Sequence, residues 1–116
     1  MNELRFEWHS TKSAVNAKKH GISFEEAKSV FSDENAKLIA DPDHSDDEDR
    51  FILLGISIRL RTLVVCHCYR GDDNTIRIIS ARKATTSESK IYLSVSFFAS
   101  TLNNNGNIPG KKRIPV

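Results

Sequence analysis

The chain predicts an α+β fold: a small antiparallel β-sheet with two helices ahead of it and one behind. Three observations carry that reading. Ser23 with Glu26, and Thr85 with Glu88, are capping boxes that each precede apolar residues at helical spacing. Between them, Phe51 to Ile56, Leu63 to Tyr69 and Thr75 to Ala81 are apolar, β-branched runs joined by short polar connections. Finally, 116 residues with 39% hydrophobic content suit one modest core and are too few for a two-domain enzyme. Residues 1–102 are therefore expected to form a single domain, with 103–116 a disordered tail.

Leu4 to Trp8 alternates weakly and suggests a short first strand. Ser10 or Thr11 then caps a helix from about Lys12 to Lys19, and Gly21 is placed for its left-handed C-terminal position. Lys18, Lys19 and His20 complement the negative end of that helix dipole. The second helix follows Ser23, with Phe24, Ala27, Val30 and Phe31 on its apolar side. Asn35 to Ala40 has strand character, whereas Asp41 to Asp49 lacks periodicity and apolar anchors, and reads as a mobile acidic loop without the glycine and glutamate spacing of an EF-hand. A turn at residues 71–74 would set Tyr69 opposite Ile76, His67 opposite Ile78, Val65 opposite Ser80 and Cys68 opposite Arg77, while a one-residue slip would exchange the pairs. Arg77 in mid-strand then requires either an open sheet face or a carboxylate partner. From Thr86 the last helix runs through Ile91, Tyr92, Val95 and Phe98 to about Leu102, and Asn103 to Asn107 ends it.

Seventeen basic residues face fifteen acidic ones, but six of those acids lie between Asp41 and Asp49. The rest of the chain is thus cationic, as suits a polyanion such as nucleic acid. The N-terminus lacks signal-peptide character and the longest apolar run is far shorter than the roughly 20 residues of a membrane span, so a cytoplasmic protein without membrane contact is expected. Cys66 and Cys68 share a strand face about 6.6 Å apart, near the limit for bridging, and are expected as reduced thiols. His67 points the other way, so Cys66-His67-Cys68 does not form a zinc site. No metal or cofactor is expected.

The stretch Ile78-Ile79-Ser80-Ala81-Arg82-Lys83-Ala84-Thr85-Thr86-Ser87-Glu88 passes from strand through two cations into a helix start. Such a junction can hold a phosphate and stabilise developing negative charge, or it can be a solvated turn. Taken with Phe6-Glu7-Trp8, Lys19-His20-Gly21-Ile22-Ser23-Phe24-Glu25-Glu26-Ala27, Val30-Phe31-Ser32-Asp33, Asp49-Arg50-Phe51 and Ile76 to Thr85, the chain resembles the BrnT family of toxins from bacterial type II toxin–antitoxin systems, over about residues 6–92. The resemblance implies a RelE-like fold and a metal-independent endoribonuclease that arrests growth. It also implies a BrnA-type antitoxin that neutralises the toxin and represses their operon, operator DNA being reached only through that partner. After Tyr92 the family pattern fades.

A metal-free ribonuclease uses the RNA 2′-hydroxyl as nucleophile, a base for its proton, cations for the pentacoordinate phosphate and an acid for the 5′ oxygen. Arg82 and Arg70 are the leading phosphate stabilisers, since a planar bidentate donor matches phosphate oxygens. His67 or Glu88 would transfer protons, although His67 can equally be a bonded sheet residue and Glu88 a helix cap. Thr85 can bond a phosphate or cap the helix. Arg50, Arg77 and Lys83 would contact the RNA backbone, and Tyr69 or Tyr92 could stack a base or belong to the core. A non-catalytic protein- or RNA-binding module of the same fold is the alternative. A metal-dependent nuclease built on the Asp41 to Asp49 acids is a third reading, disfavoured because those acids lack a rigid scaffold.

Overall fold

Apolar side chains alternating along neighbouring strands build the centre of the molecule. The computed structural model describes residues 4–41, 50–71, 74–103 and 113–114. In chain order these form β1 (Arg5–Glu7), α1 (Ser10–His20), α2 (Phe24–Ser29) with a 3₁₀ turn at Val30–Ser32, β2 (Lys37–Ala40), β3 (Phe51–Ile56), β4 (Thr62–Arg70), β5 (Thr75–Lys83), α3 (Thr86–Asn103) and β6 (Arg113–Ile114). Most of the acidic loop and most of the tail lie outside the described residues. Among those described, the sheet order is β1-β5-β4-β3-β2-β6.

The antiparallel meander expected from the sequence is β3, β4 and β5. β1 departs from it by running parallel to β5, Arg5 opposite Thr75 and Glu7 opposite Arg77. Two helices and three strands separate β1 from β5 in sequence, so no tight hairpin dictates an antiparallel pairing. The β4–β5 register matches the spacing argument for His67 with Ile78, Cys68 with Arg77 and Tyr69 with Ile76. It then shifts between Cys66 and His67, so Val65 faces Ala81 rather than Ser80. Ile78 and Ala81 are both buried although three residues apart, which strict alternation forbids. One extra residue in β5 turns both inward.

α1 and α2 cover one sheet face, where Ile22, Phe24, Ala27 and Val30 meet Leu53, Leu63, Val65, Ile76 and Ile78. α1 starts at Ser10, with His9 as its cap residue and no side-chain cap bond. It stops at Gly21, whose φ of 73° is left-handed and whose N–H donates to Ala17 O at 2.8 Å. Only half of the Ser23 capping box forms: Ser23 Oγ accepts from Glu26 N at 3.0 Å, while the Glu26 carboxylate turns to Ser57 and Arg61. Asn16, buried on α1, accepts from Ala81 N at 3.2 Å and donates to Ala81 O at 2.9 Å. β1 ends opposite Arg77, so the Asn16 amide takes over that edge of β5 where the strand has run out.

On the opposite face, Leu54, Val64 and Tyr92 pack together with Ile52, Ile56 and Ala84. The Tyr92 hydroxyl donates to Asp33 Oδ2 at 2.7 Å, and Ile56 N donates to the same oxygen at 2.8 Å. Asp33 thus pins α3 to the sheet. Among the described residues no helix is long and apolar enough to cross a membrane.

Candidate nucleic-acid interface

Residues that alternate with the core side chains occupy the sheet face that α1 and α2 leave uncovered. Phe6, Phe51, Tyr69 and Ile76 pack into the first core, so their neighbours Arg5, Arg50, Arg70 and Arg77 point to the other side. Arg82 lies opposite Val64, whose side chain belongs to the second cluster, and is on that side as well. Among the described residues five arginines therefore share one face, interrupted by the carboxylates Glu7 and Glu88. α3 crosses part of this face through Tyr92.

At the start of α3 the sequence assembles a complete capping box. Thr85 N donates to Glu88 Oε1 at 2.8 Å, and Glu88 N donates to Thr85 Oγ1 at 3.1 Å. Arg82 joins it bidentately, donating to Glu88 Oε1 at 2.8 Å and Oε2 at 3.0 Å, and its first terminal nitrogen also donates to Lys83 O at 3.2 Å. The guanidinium is thereby fixed in orientation while Nε–H and one outward N–H remain for a ligand. The hydrogen bond from Arg82, ahead of that from Thr85 N, holds the Glu88 carboxyl down at about 2, so it stays ionised. Lys83 is exposed at the end of β5, but opposite Leu63 of the first core it points to the other side of the sheet from Arg82.

A second cluster stands at the far end of the same face. Arg77 donates to Glu7 Oε2 at 2.9 Å, both side chains being partly exposed, which supplies the carboxylate the sequence requires of a mid-strand arginine. Arg5, Glu7, Arg70, Gly71 and Thr75 line an open depression there. Arg50 sits beside Cys66. Burial, ahead of the neighbouring Asp41 carboxylate, pushes the Cys66 thiol up to about 11, so it is held as a neutral packing group.

The structure separates residues that the sequence reading grouped in one site. Arg82, Thr85 and Glu88 are bonded together, whereas Lys83 points to the other side of β5 and Arg70 is not among them. Arg70 ends β4 and Arg82 nearly ends β5, and antiparallel neighbours end at opposite sides of a sheet. Arg70 pairs with Thr75, seven residues from Arg82, roughly 20 Å along the strand. His67 is fully buried on the helix-covered face, with Nδ1 3.2 Å from Val65 O and ring centroids of Phe31 and Tyr69 at 4.8 and 5.3 Å. It cannot touch a substrate on the arginine face. Tyr69 packs against the first core and Tyr92 belongs to the second. Arg5 and Glu7 escaped the sequence reading, although their alternation with Phe6 and Trp8 marked them as facing away from the core.

The family model described as "Ribonuclease toxin, BrnT, of type II toxin-antitoxin system" matches residues 8–88. No curated protein matches the sequence. The fold is similar to the 1.1 Å crystal structure of the Brucella abortus ribonuclease toxin BrnT, with a TM-score of 0.54 and 24% identity, over 72% of this chain and 99% of that one. The family match takes in β1's flank, both N-terminal helices, the whole meander and the Arg82–Glu88 junction, and the chain accordingly belongs to the BrnT family of ribonuclease toxins of type II toxin–antitoxin systems.

Proposed function

We propose that the chain cleaves RNA without a metal, at the junction of β5 and α3. The observation that carries this reading is the oriented Arg82, held bidentately by Glu88 yet with two N–H groups still directed outward. The RNA 2′-hydroxyl gives its proton to solvent and its oxygen attacks the adjacent phosphorus, while the bond to the 5′ oxygen breaks and that oxygen takes a proton from solvent, leaving a 2′,3′-cyclic phosphate and a 5′-hydroxyl. Arg82 stabilises the extra charge on the pentacoordinate phosphate, and Lys83, at the end of the same strand, steers the RNA backbone toward it. Thr85 Oγ1 spends a lone pair on Glu88 N and keeps its proton for a phosphate oxygen. Glu88, ionised throughout the neutral range, is a positioning residue for Arg82. Arg5, Arg50, Arg70 and Arg77 guide the RNA backbone across the face, as cationic grooves do for single strands.

In this reading residues 1–102 act as one toxin domain in the cytoplasm, neutralised by a BrnA-type antitoxin that alone contacts operator DNA. The test is incubation of a defined RNA with the purified chain in excess EDTA, followed by chemical identification of the new termini. Cyclic-phosphate and 5′-hydroxyl ends are expected; cleavage that stops with EDTA would overturn metal independence. The engagement of Arg82 by Glu88 also fits a second reading, a module that binds RNA or protein without cutting. That reading predicts binding with intact RNA.

A further inference from the structure

The loop joining β3 to β4, Ser57-Ile58-Arg59-Leu60-Arg61, has no part in the chemistry above but is built with unusual care. Ile58 and Leu60 at its tip are 78% and 85% exposed, the most exposed of the large apolar side chains among the described residues. Leu60 also has a φ of 63°, a left-handed conformation that a bulky L-residue adopts only when its surroundings enforce it. The enforcement is visible. Ser57 Oγ donates to Glu26 Oε2 at 2.7 Å, Ile58 N donates to Ser29 Oγ at 2.8 Å, and Leu60 N donates to Ser57 O at 2.8 Å. Arg61 grips the buried Glu26 through Nε at 2.9 Å and through a terminal nitrogen, and reaches Gly21 O at 3.3 Å.

A loop fixed this firmly, with strain retained and two aliphatic side chains held in water, is pre-organised for a partner. Its surroundings define that partner. The contact with Gly21 O sets the loop against the end of α1, where Lys18, Lys19 and His20 lie, and Arg59 is exposed between the two apolar residues. The complementary surface therefore presents an apolar pocket rimmed by carboxylates. Aliphatic tips offer no ring on which a base can stack, which favours a protein over RNA. Ala84 N donates to Thr62 O at 2.9 Å, so the base of the loop adjoins the Lys83 to Thr85 segment. A protein seated on the tip lies at the end of the sheet where β5 runs into α3.

We infer that this loop is the docking point of the antitoxin, which inserts Ile58 and Leu60 into an acidic-rimmed apolar pocket and so sits at the end of the sheet where β5 runs into α3. The inference rests on the reading that the chain is neutralised by an antitoxin. The test uses the full chain, a defined RNA and the full-length protein encoded beside this chain's gene, with the double variant Ile58→Ser, Leu60→Asn. Asn accepts the left-handed backbone, so the melting midpoint stays at or above that of the unmodified chain. RNA cleavage by the variant alone is expected to be unchanged, while antitoxin affinity falls about 100-fold and cleavage escapes inhibition. Affinity within about threefold of the unmodified chain would overturn the docking assignment alone. Lost RNA cleavage with antitoxin binding intact would overturn it in favour of an RNA contact. If the unmodified chain itself is neither bound nor inhibited, the antitoxin reading fails and this assignment with it.

Discussion

Arg82 meets Glu88 through both terminal nitrogens, and that one contact sets charge, orientation and helix start together. The folded Glu88 carboxyl lies at about 2, below its ordinary 4.5, so its stabilising effect is complete above about pH 4.5 and is lost as pH falls toward 2. Glu88→Gln keeps a capping side chain but removes the charge. We expect it to lower stability at neutral pH by about 0.5–1 kcal/mol, a difference that closes near pH 2 in a series of denaturant melts. Its cleavage rate should fall without a change in the shape of the neutral pH–rate profile, because a group held near 2 does not titrate there; a proton-transferring Glu88 would alter that shape. Gly55 offers a packing test. A Cβ there would sit 2.9 Å from both Ala36 Cβ and Val30 Cγ1, so Gly55→Ala should destabilise by about 1–3 kcal/mol in thermal or chemical unfolding. At this scale the sequence was legible where bonding is local: the Thr85–Glu88 box follows from a spacing of three. It was silent where partners are distant, as with Glu26, whose carboxylate abandons its local box for an arginine 35 residues away.

Elements here are joined by a few polar side chains that apolar periodicity does not reveal. Asn16 ties α1 to the open edge of β5 with two bonds to Ala81, and Asn16→Ala would leave a buried N–H and C=O without that partner. A loss of about 2–4 kcal/mol is expected, read from unfolding midpoints. Tyr92→Phe keeps the ring between Leu54 and Val64 but removes the hydroxyl that holds Asp33. It should cost about 1–2 kcal/mol and reduce cleavage by loosening α3 over the site. Five strands and three helices could be read from period and caps, because each buries one face by its own pattern. The parallel pairing of β1 and the extra residue in β5 could not. Both are imposed by the rest of the sheet: β1 takes the edge the meander leaves vacant, and the bulge reconciles Ile78 with Ala81 in one core.

For the molecule as a whole, the sheet divides its labour. One face is sealed by α1 and α2 and encloses His67, which removes from the surface the one histidine that the sequence placed on a central strand. The other carries five arginines in a band whose two ends, Arg70 and Arg82, stand roughly 20 Å apart along β5. Cation content was evident in the sequence, but its division between two ends of the face, to which we assign reaction and guidance, needed the strand directions. Single-turnover cleavage of a defined RNA by the unmodified chain, Arg82→Ala and Arg70→Ala, with binding measured separately, tests this division most directly. Arg82→Ala should cleave about 100- to 1,000-fold more slowly while binding RNA nearly as well, whereas Arg70→Ala should bind more weakly and cleave at close to the full rate once saturated. Undiminished cleavage by Arg82→Ala, with Arg70→Ala inactive at saturation, would contradict the account and move the chemistry to the far end of the sheet.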